Sequence, residues 1–564
     1  MASRVRPDHD SIGGRTRVRH DRQIRVLILA SPLLVLILFV VYPVVNVLVT
    51  GLLYGPGSSL SEVLLSPVTQ RVLTFTISQA TASTILSVII GLPAGFLLAR
   101  LRFRGKSIVR AALIVPFVLP PIVVVVGFLR MFGSHGILDM AFMFLFQSDA
   151  SVLDLASGVV GIVLAHAFYN VPLVTLMVSA SLERLNPELE EAAELLGATT
   201  LQKWRYIVFP LIRPALLASA VLTYLFCFMS FPIVLALGQG AYSTIEVQIW
   251  SAFRFFDYGQ ASSLALIQLA ITLILAYAYV RAGGRDGEQG RTASIRTIQF
   301  GELSGPSRVL VAVYVGVLVV LMAGPIAAIV YGAIYDPVQR VYTLDGFSNL
   351  LRSGTGGGLL PMINSVLYAS LSTILAVLLG MPLAYAQLSR GRILAELSSM
   401  MTLLPLGISS ITIAYGLMRA IAVPLGLSTN PWPLIVVAQT VIGLPFSARA
   451  IEISLRNIDP TLIEQADILG ASRFQRLFFV ELPLLAPGIL VGGVFAFAMA
   501  IGEMSATLFI ALPQNYTLAV AIYQYLRVRK FVEAGAAALV LVLVCLAAFL
   551  IIERVSGEDA GGAL

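Results

Sequence analysis

The sequence predicts an all-α polytopic membrane protein with about twelve spanning helices in two pseudo-symmetric six-helix halves. Three observations carry this. Hydrophobic residues make up 58% of the 564 positions and charged ones 12%; mean hydropathy is +0.90. That balance excludes a water-soluble domain of this length. The apolar residues fall in runs long enough to cross ~30 Å of hydrocarbon, near 25–53, 72–99, 111–130, 158–182, 214–238, 260–280, 309–335, 361–388, 397–421, 432–455, 485–511 and 534–552. The second half of the chain also repeats the punctuation of the first. Ser83-Thr84-Ile85-Leu86 with Gly91 and Pro93 recurs as Ser372-Thr373-Ile374-Leu375 with Gly380 and Pro382, and Pro116 and Gly127 recur as Pro405 and Gly416, all at an offset of 289. Pro172 then matches Pro445 and Thr244 matches Thr517 at an offset of 273, so the first half holds 16 extra residues, expected in the loop around 131–157.

The chain divides into a basic N-terminal segment (1–24), a first half (25–282), a Gly/Ser/Arg-rich linker (283–307), a second half (308–553) and a short tail (554–564). The first apolar run is too long for a signal-peptide core and shows no clear cleavage site, so it is expected to remain as a span. Charge orients the spans. Arg4, Arg6, Arg15, Arg17, Arg19, Arg22 and Arg25 precede the first span, and Arg100, Arg102, Arg104, Lys106 and Arg110 follow the second, whereas 54–70 and 131–157 contain no Lys or Arg. The positive-inside rule puts the N-terminus, the linker and the C-terminus in the cytoplasm of a multi-pass inner or plasma membrane protein. The formal charge of +7 is then mostly topology signal, and nucleic acid is a poor partner for it. Arg527, Arg529 and Lys530 fall on the outer side in this scheme without a sequence-level account.

Two cytoplasmic loops carry the same device 273 positions apart: Asn186-Pro187-Glu188-Leu189-Glu190-Glu191-Ala192-Ala193-Glu194-Leu195-Leu196-Gly197-Ala198 and Asp459-Pro460-Thr461-Leu462-Ile463-Glu464-Gln465-Ala466-Asp467-Ile468-Leu469-Gly470-Ala471. Asn or Asp at the N-cap, proline at the first helical position and glycine past the last turn each encode a helix boundary. The helix is about ten residues, roughly 15 Å long, and too short to be stable alone. Small faces at Ala192/Ala193 and Ala466 would admit another protein's surface. A single copy would read equally well as an ordinary capped surface helix; two in register do not arise readily by chance.

Glu-x-Ala-x-x-x-Gly, followed at a distance by Phe209-Pro210 or Leu482-Pro483, resembles the coupling loop of ABC importer permeases. That resemblance implies a type I ABC importer permease fold. It implies ATPase coupling through Glu191, Ala192, Ala193, Gly197, Glu464, Gln465, Ala466 and Gly470. It also implies two copies of an ABC ATPase subunit holding ATP and Mg, and an extracytoplasmic solute-binding protein. Gln465 departs from the usual alanine.

No catalytic or cofactor site is expected on this chain. Gly105-Lys106-Ser107 lacks the earlier glycine and the preceding strand of a phosphate loop. The two cysteines, Cys227 and Cys545, sit in apolar spans as free hydrophobes, and no metal cluster is present in the sequence. The chain itself is therefore expected to be no enzyme.

Ionisable groups inside spans are costly and usually face a cavity. Glu503, beside Gly502 and Ser505 in a breakable helix, is the main candidate for the pathway. Its repeat position holds Ser230, before Pro232, and the four residues Ser230, Pro232, Gly502 and Glu503 would form an irregular patch across the pseudo-axis. The alternative is that Glu503 packs against a backbone amine at a span end. His166 and Asn170 are weaker candidates, a lone intramembrane His being more often a hydrogen-bonded packing residue. Fused two-half permeases of this size resemble thiamine and ferric-iron importer permeases. The runs Leu164–Pro172, Cys227–Gly238 and Ser243–Trp250 lie closer to the thiamine type, although Glu503 stands where both families commonly have aspartate. Thiamine is the first expectation and ferric iron the second. An ion-coupled secondary transporter stays open as a different class, and an exporter fits less well.

Overall fold

The computed structural model describes residues 29–54, 60–102, 119–148, 153–283, 298–337, 339–354, 356–389 and 391–556, with Lys106, Val109, Arg110, Leu113, Val115, Pro116, Ala150 and Ser151 between them. The N-terminal segment 1–24, the linker stretch 284–297 and the end of the tail from 557 lie outside the described residues, as does most of 103–118.

Eleven helices are long and apolar enough to span a bilayer, and a twelfth span is a pair bent by 98°. In the first half these are α1 (Leu29–Val49), α2 (Pro67–Arg100), α3 (Pro121–Phe132) running on through α4 (Ile137–Phe146), and α5 (Gly158–Glu183). After the short α6 (Pro187–Leu195) come α7 (Thr200–Phe228), α8 (Pro232–Leu237), α9 (Ile245–Arg254) and α10 (Tyr258–Gly283). The second half runs through α11 (Gly305–Ile334), α12 (Leu359–Gln387), the bent pair α13 (Arg392–Gly407) and α14 (Ser410–Ala422), and α15 (Trp432–Arg456). It closes with α16 (Pro460–Ile468), α17 (Arg473–Gly502), α18 (Ser505–Ile510), α19 (Leu518–Arg527) and α20 (Phe531–Ser556). The chain is thus a multi-pass membrane protein with two similar halves.

Three details differ from the periodicity. The region 131–157 is not simply a loop, because the apolar run at 137–146 coils as α4. It is anchored by the fully buried Asp139 carboxylate, which accepts the His135 and Leu153 amides at 2.8 Å each. The fifth and eleventh spans begin at Thr200 and Arg473, about three to four turns before the expected 214 and 485. Prolines 210 and 483 do not stop them, because a π-helical turn at Trp204–Val208 and again at Leu477–Glu481 widens the ladder just before each proline. Both spans then end early, at Phe228 and Gly502, and the apolar sequence beyond folds into a second short helix.

The first span of each half crosses to the other half. Helix α1 packs on α14, and α11 packs on α3. The repeated glycines make this approach possible. A Cβ on Gly127 would lie 2.6 Å from the Pro325 carbonyl oxygen, and one on Gly416 would lie 2.8 Å from the Pro43 carbonyl carbon. The exchange is reinforced by a second reciprocal pair. The Arg130 guanidinium sits 5.6 Å from the centre of the Phe531 ring, and its repeat counterpart Arg419 sits 4.9 Å from that of Tyr258. Arg130 also donates to the Gly332 and Tyr335 carbonyls at the end of α11 (3.1 and 3.2 Å).

Helix interiors as close as these leave no room for a side chain, and overpacking typically costs 1–3 kcal/mol. Gly127→Val and Gly416→Val should each lower the melting temperature of the detergent-solubilised protein. A melting curve indistinguishable from wild type in both would mean that the crossed first spans do not lock the halves.

Candidate functional site

The paired short helices are built alike from their first residue to their last. The Asn186 side chain accepts the Glu188 amide (3.1 Å) to start α6, and Asp459 accepts the Thr461 amide (2.9 Å) to start α16. That backbone hydrogen bond holds the Asp459 carboxyl below the usual carboxylate range. Each helix stops at a left-handed glycine, Gly197 at φ +80° and Gly470 at φ +78°. The closing bonds are equivalent too: Ala198 N to Ala193 O and Ala471 N to Ala466 O. A second short helix follows, started by a capping box at Thr199/Gln202 and at Ser472/Gln475. Ion pairs tie the two turns together, Lys203 with Glu194 in one copy and Arg476 with Asp467 (2.9 Å) in the other. Glu190 further pairs with the nearly buried Arg100 at the end of α2, which fixes α6 to the bundle.

Within these helices the exposed side chains are not all those expected. Glu191, Ala192, Glu464 and Gln465 are exposed, whereas Ala193 is half-buried and Ala466 is buried against its own chain. The expectation that Ala466 presents a small face to a partner is therefore corrected. Its methyl lies on the inner side of the helix, where the closing bond from Ala471 draws the chain back. The outward apolar surface comes instead from residues that sequence reading passed over. Leu195 and Leu196 are 90% and 89% exposed, and their counterparts Ile468 and Leu469 are 83% and 87% exposed. An apolar pair just before the terminal glycine of a polar helix was the signal for them.

At mid-bundle both halves break a span at the same repeat position. In the first half α7 gives way at Met229-Ser230-Phe231 to α8, whose first residue is Pro232. Proline has no amide to satisfy there. In the second half Ser505 replaces that proline, and the Glu503 carboxylate serves the start of α18. It accepts the Ala506 amide (2.7 Å), the Thr507 amide (2.8 Å) and the Thr507 hydroxyl (2.7 Å). Glu503 thus acts as a buried helix cap. Gly502 beside it meets the other half: a Cβ there would lie 2.9 Å from the Pro120 ring. Pro120 itself precedes α3, at the equivalent of the α13–α14 bend.

His166 and Asn170 belong elsewhere. His166 Nδ1 lies 3.3 Å from Ser83 Oγ, and Asn170 donates to the His166 carbonyl (2.9 Å) and toward Cys227 Sγ (3.5 Å). These contacts hold α5 to α2 and α7 inside the first half. The repeat makes the same bond with other chemistry, Ser372 Oγ to Gln439 Oε1 at 3.1 Å. The structure therefore does not bring His166 and Asn170 to the Gly502–Pro120 contact.

Between the halves lies an aromatic cluster. The Phe253 ring of α9 is 4.3 Å from Phe509 of α18 and 5.1 Å from Tyr415 of α14, centre to centre. Arg254 at the end of α9 lies over Trp250, and Arg527 at the end of α19 lies over Tyr523, its repeat counterpart. Of the three cations that sequence alone left unexplained, Arg527 is thus one member of a duplicated cation–π pair. A cavity of about 780 Å³ between α12, α17 and α20 has Thr373 as its one polar side chain. It sits away from this contact and offers nothing to a charged solute. Among the described residues no group of three or more His, Cys, Asp or Glu could hold a metal ion.

Comparison with known proteins covers both halves. Residues 91–282 and 376–556 each match the family described as “Binding-protein-dependent transport system inner membrane component”. The chain is 26% identical over 504 residues to the thiamine transport system permease protein of Brucella abortus (strain 2308), covering 86% of this chain and 88% of that one. It is 27% identical over 532 residues to the thiamine transport system permease protein of Salmonella typhimurium, covering 90% and 93%. It is 26% identical over 544 residues to the ferric transport system permease protein of Actinobacillus pleuropneumoniae, covering 94% and 78%.

The Glu503 geometry generates a test. Glu503→Gln keeps one acceptor oxygen where three donors converge, and losing a cap costs ~1 kcal/mol. It should lower thermal stability in detergent, and Glu503→Leu should lower it further. Uptake per assembled complex should be retained in the Gln variant if capping is its whole role; a selective loss of uptake at unchanged stability would place Glu503 in the pathway.

Proposed function

The chain belongs to the family of binding-protein-dependent transport system inner membrane components, and from that premise we propose that it is the complete membrane path of an ATP-driven thiamine importer. The reading rests on one observation above the others: two identically capped helices, each closed by a left-handed glycine and each carrying an exposed apolar pair beside an exposed glutamate. A polar surface with an exposed apolar pair, present in two copies, suits two copies of one partner, an ABC ATPase subunit seated on each. The ATPase binds ATP and Mg and performs the hydrolysis; this chain transmits the motion. The end carrying α6 and α16 is cytoplasmic in this reading, consistent with the basic residues around Arg100, Arg102, Lys106 and Arg110, and both termini lie on that side. An extracytoplasmic binding protein delivers solute at the other end.

ATP binding draws α6 and α16 together and rocks the halves about the crossed spans, opening the inter-half path outward. Hydrolysis returns it inward, because a ligand shifts such an equilibrium only through its differential affinity for the two states. Thiamine is favoured as solute because the thiamine relatives match along 88% and 93% of their own lengths, against 78% for the ferric one.

Proteoliposomes containing this chain, its ATPase and its binding protein should accumulate labelled thiamine only with ATP inside and binding protein outside. Ferric uptake in its place would move the substrate assignment to iron. Ion-gradient-driven uptake by the chain alone would sink the importer reading altogether.

Charge reversal probes the seat itself. Glu191→Lys and Glu464→Lys should abolish uptake while the membrane protein still purifies in normal yield. Gly197→Val and Gly470→Val, which force a β-branched residue into a left-handed turn at about 1–2 kcal/mol, should weaken ATPase association. Wild-type substrate-stimulated ATP hydrolysis in both charge reversals would count decisively against coupling at these helices.

A further inference from the structure

Five carboxylates among the described residues are buried: Asp139, Glu246, Glu452, Glu481 and Glu503. Four of them are satisfied within their own half. Asp139 and Glu503 accept local backbone amides, as described above. Glu452 pairs with Arg449 and Arg456, and Glu481 with Arg476 and the Tyr385 hydroxyl. Glu246, on the first turn of α9, is the exception. Its Oε1 accepts from Gln268 Nε2 of α10 (2.6 Å), but its Oε2 accepts from Ser409 Oγ of the second half (2.6 Å). Ser409 sits at the bend between α13 and α14, where it also caps α14. Glu246 is only 2% exposed, and the Gln268 amide oxygen beside it is buried without a partner.

The surroundings extend this polar point along the seam. Thr272 Oγ1 donates to the Gly407 carbonyl (2.7 Å), and Ser262 Oγ lies 3.2 Å from the Tyr415 hydroxyl, both across the halves. Two turns along α9 from Glu246, Phe253 joins Tyr415 and Phe509. At the pseudo-symmetric seam the positions of Glu246, Ser262, Gln268, Thr272 and Ser409 are held by Ala519, Gly535, Leu541, Cys545 and Pro120, so these carboxylate, amide and hydroxyl contacts have no counterpart there. The buried acid with its amide partner therefore belongs to one seam, whereas Arg130 marks the other.

A carboxylate held by one donor from each half loses a donor when the halves separate. Ser409 leaves with α14, and the freed oxygen, next to the unpartnered Gln268 oxygen, then needs a positive partner in a medium where an unpaired charge is expensive. We propose that Glu246, with Gln268, is the cation-recognising site of the path between the halves, and that the Ser409 hydroxyl occupies it in the closed state. The ligand class is a positively charged solute with an aromatic ring, for which Phe253, about two turns along α9 from Glu246, and its neighbours Tyr415 and Phe509 supply faces. The inference rests on the cation-importer reading above and names the residue that reads the charge.

Two substitutions separate charge from hydrogen bonding. Glu246→Gln keeps the length and the bond to Ser409 but removes the charge; Glu246→Asp keeps the charge but shortens the reach. Uptake is measured in proteoliposomes with ATPase and binding protein, normalised to assembled complex, with labelled thiamine and ferric iron supplied in parallel. Which cation the wild type takes up decides the substrate reading independently, and ferric uptake overturns the aromatic part of the ligand class. On that cation, recognition by charge predicts about a tenfold loss for the Gln variant and a clearly smaller loss for the Asp variant, with binding-protein-stimulated ATP hydrolysis retained in both. Equal uptake by the two variants, or better uptake by the Gln variant, overturns the proposal and leaves Glu246 as an inter-half tie. Uptake of neither cation by the wild type overturns both readings.

Discussion

A chain surrounded by hydrocarbon must satisfy every backbone amide and carbonyl from within itself, and the breaks of three spans show how this protein meets the demand. Where α7 stops, proline begins the next helix and leaves one amide fewer to satisfy. Where α17 stops, Glu503 supplies three acceptor contacts. Where α13 bends into α14, Thr272 donates to the Gly407 carbonyl and Ser409 caps the new helix. The breaks are therefore not weak points. They are places where the spans exchange internal bonds for bonds to neighbours, and at the bend those neighbours belong to the opposite half.

That exchange explains why the two halves can be alike in some features and unlike in others. Features closed within a few residues are duplicated closely: the caps, the left-handed glycines, the π-helical turns before Pro210 and Pro483, and the paired ion bridges. Long-range bonds inside each half are also kept, with Thr76 Oγ1 accepting the Ile245 amide and Ser365 Oγ accepting the Leu518 amide. The bonds between halves diverge. Arg130 and Arg419 both lie on the first aromatic of the other half's last span, and Arg130 also donates to the carbonyls at the end of α11. The acid at Glu246 has alanine as its counterpart. A single chain carrying both halves can hold such a difference, since each seam is encoded separately.

The exposed ends of α6 and α16 work on smaller energies. Ion pairs such as Arg476 with Asp467 are partly solvated and contribute little individually. Their value is geometric: together with the capping boxes they set the short helix and the one after it as one rigid corner, and Arg100 ties one corner to α2. Each corner leads directly into the span that follows it, α7 or α17, and those are the spans that break at mid-bundle.

The sequence by itself determined the membrane class, the twofold repeat, and the two capped helices with their terminal glycines, because apolar run length, proline and glycine placement and capping chemistry act over a few residues and are written locally. It also marked Gly127 and Gly416 as repeated without saying why. Only the tertiary structure decided that Pro325 and Pro43 press against them, that Ala466 turns inward while Leu195, Leu196, Ile468 and Leu469 turn outward, and that Glu503 caps a helix. The same holds for Glu246, an unremarkable acid between two spans in the sequence, whose second partner is 163 residues away. Which side chains meet across a seam between halves depends on how the helices cross, and no local pattern records that.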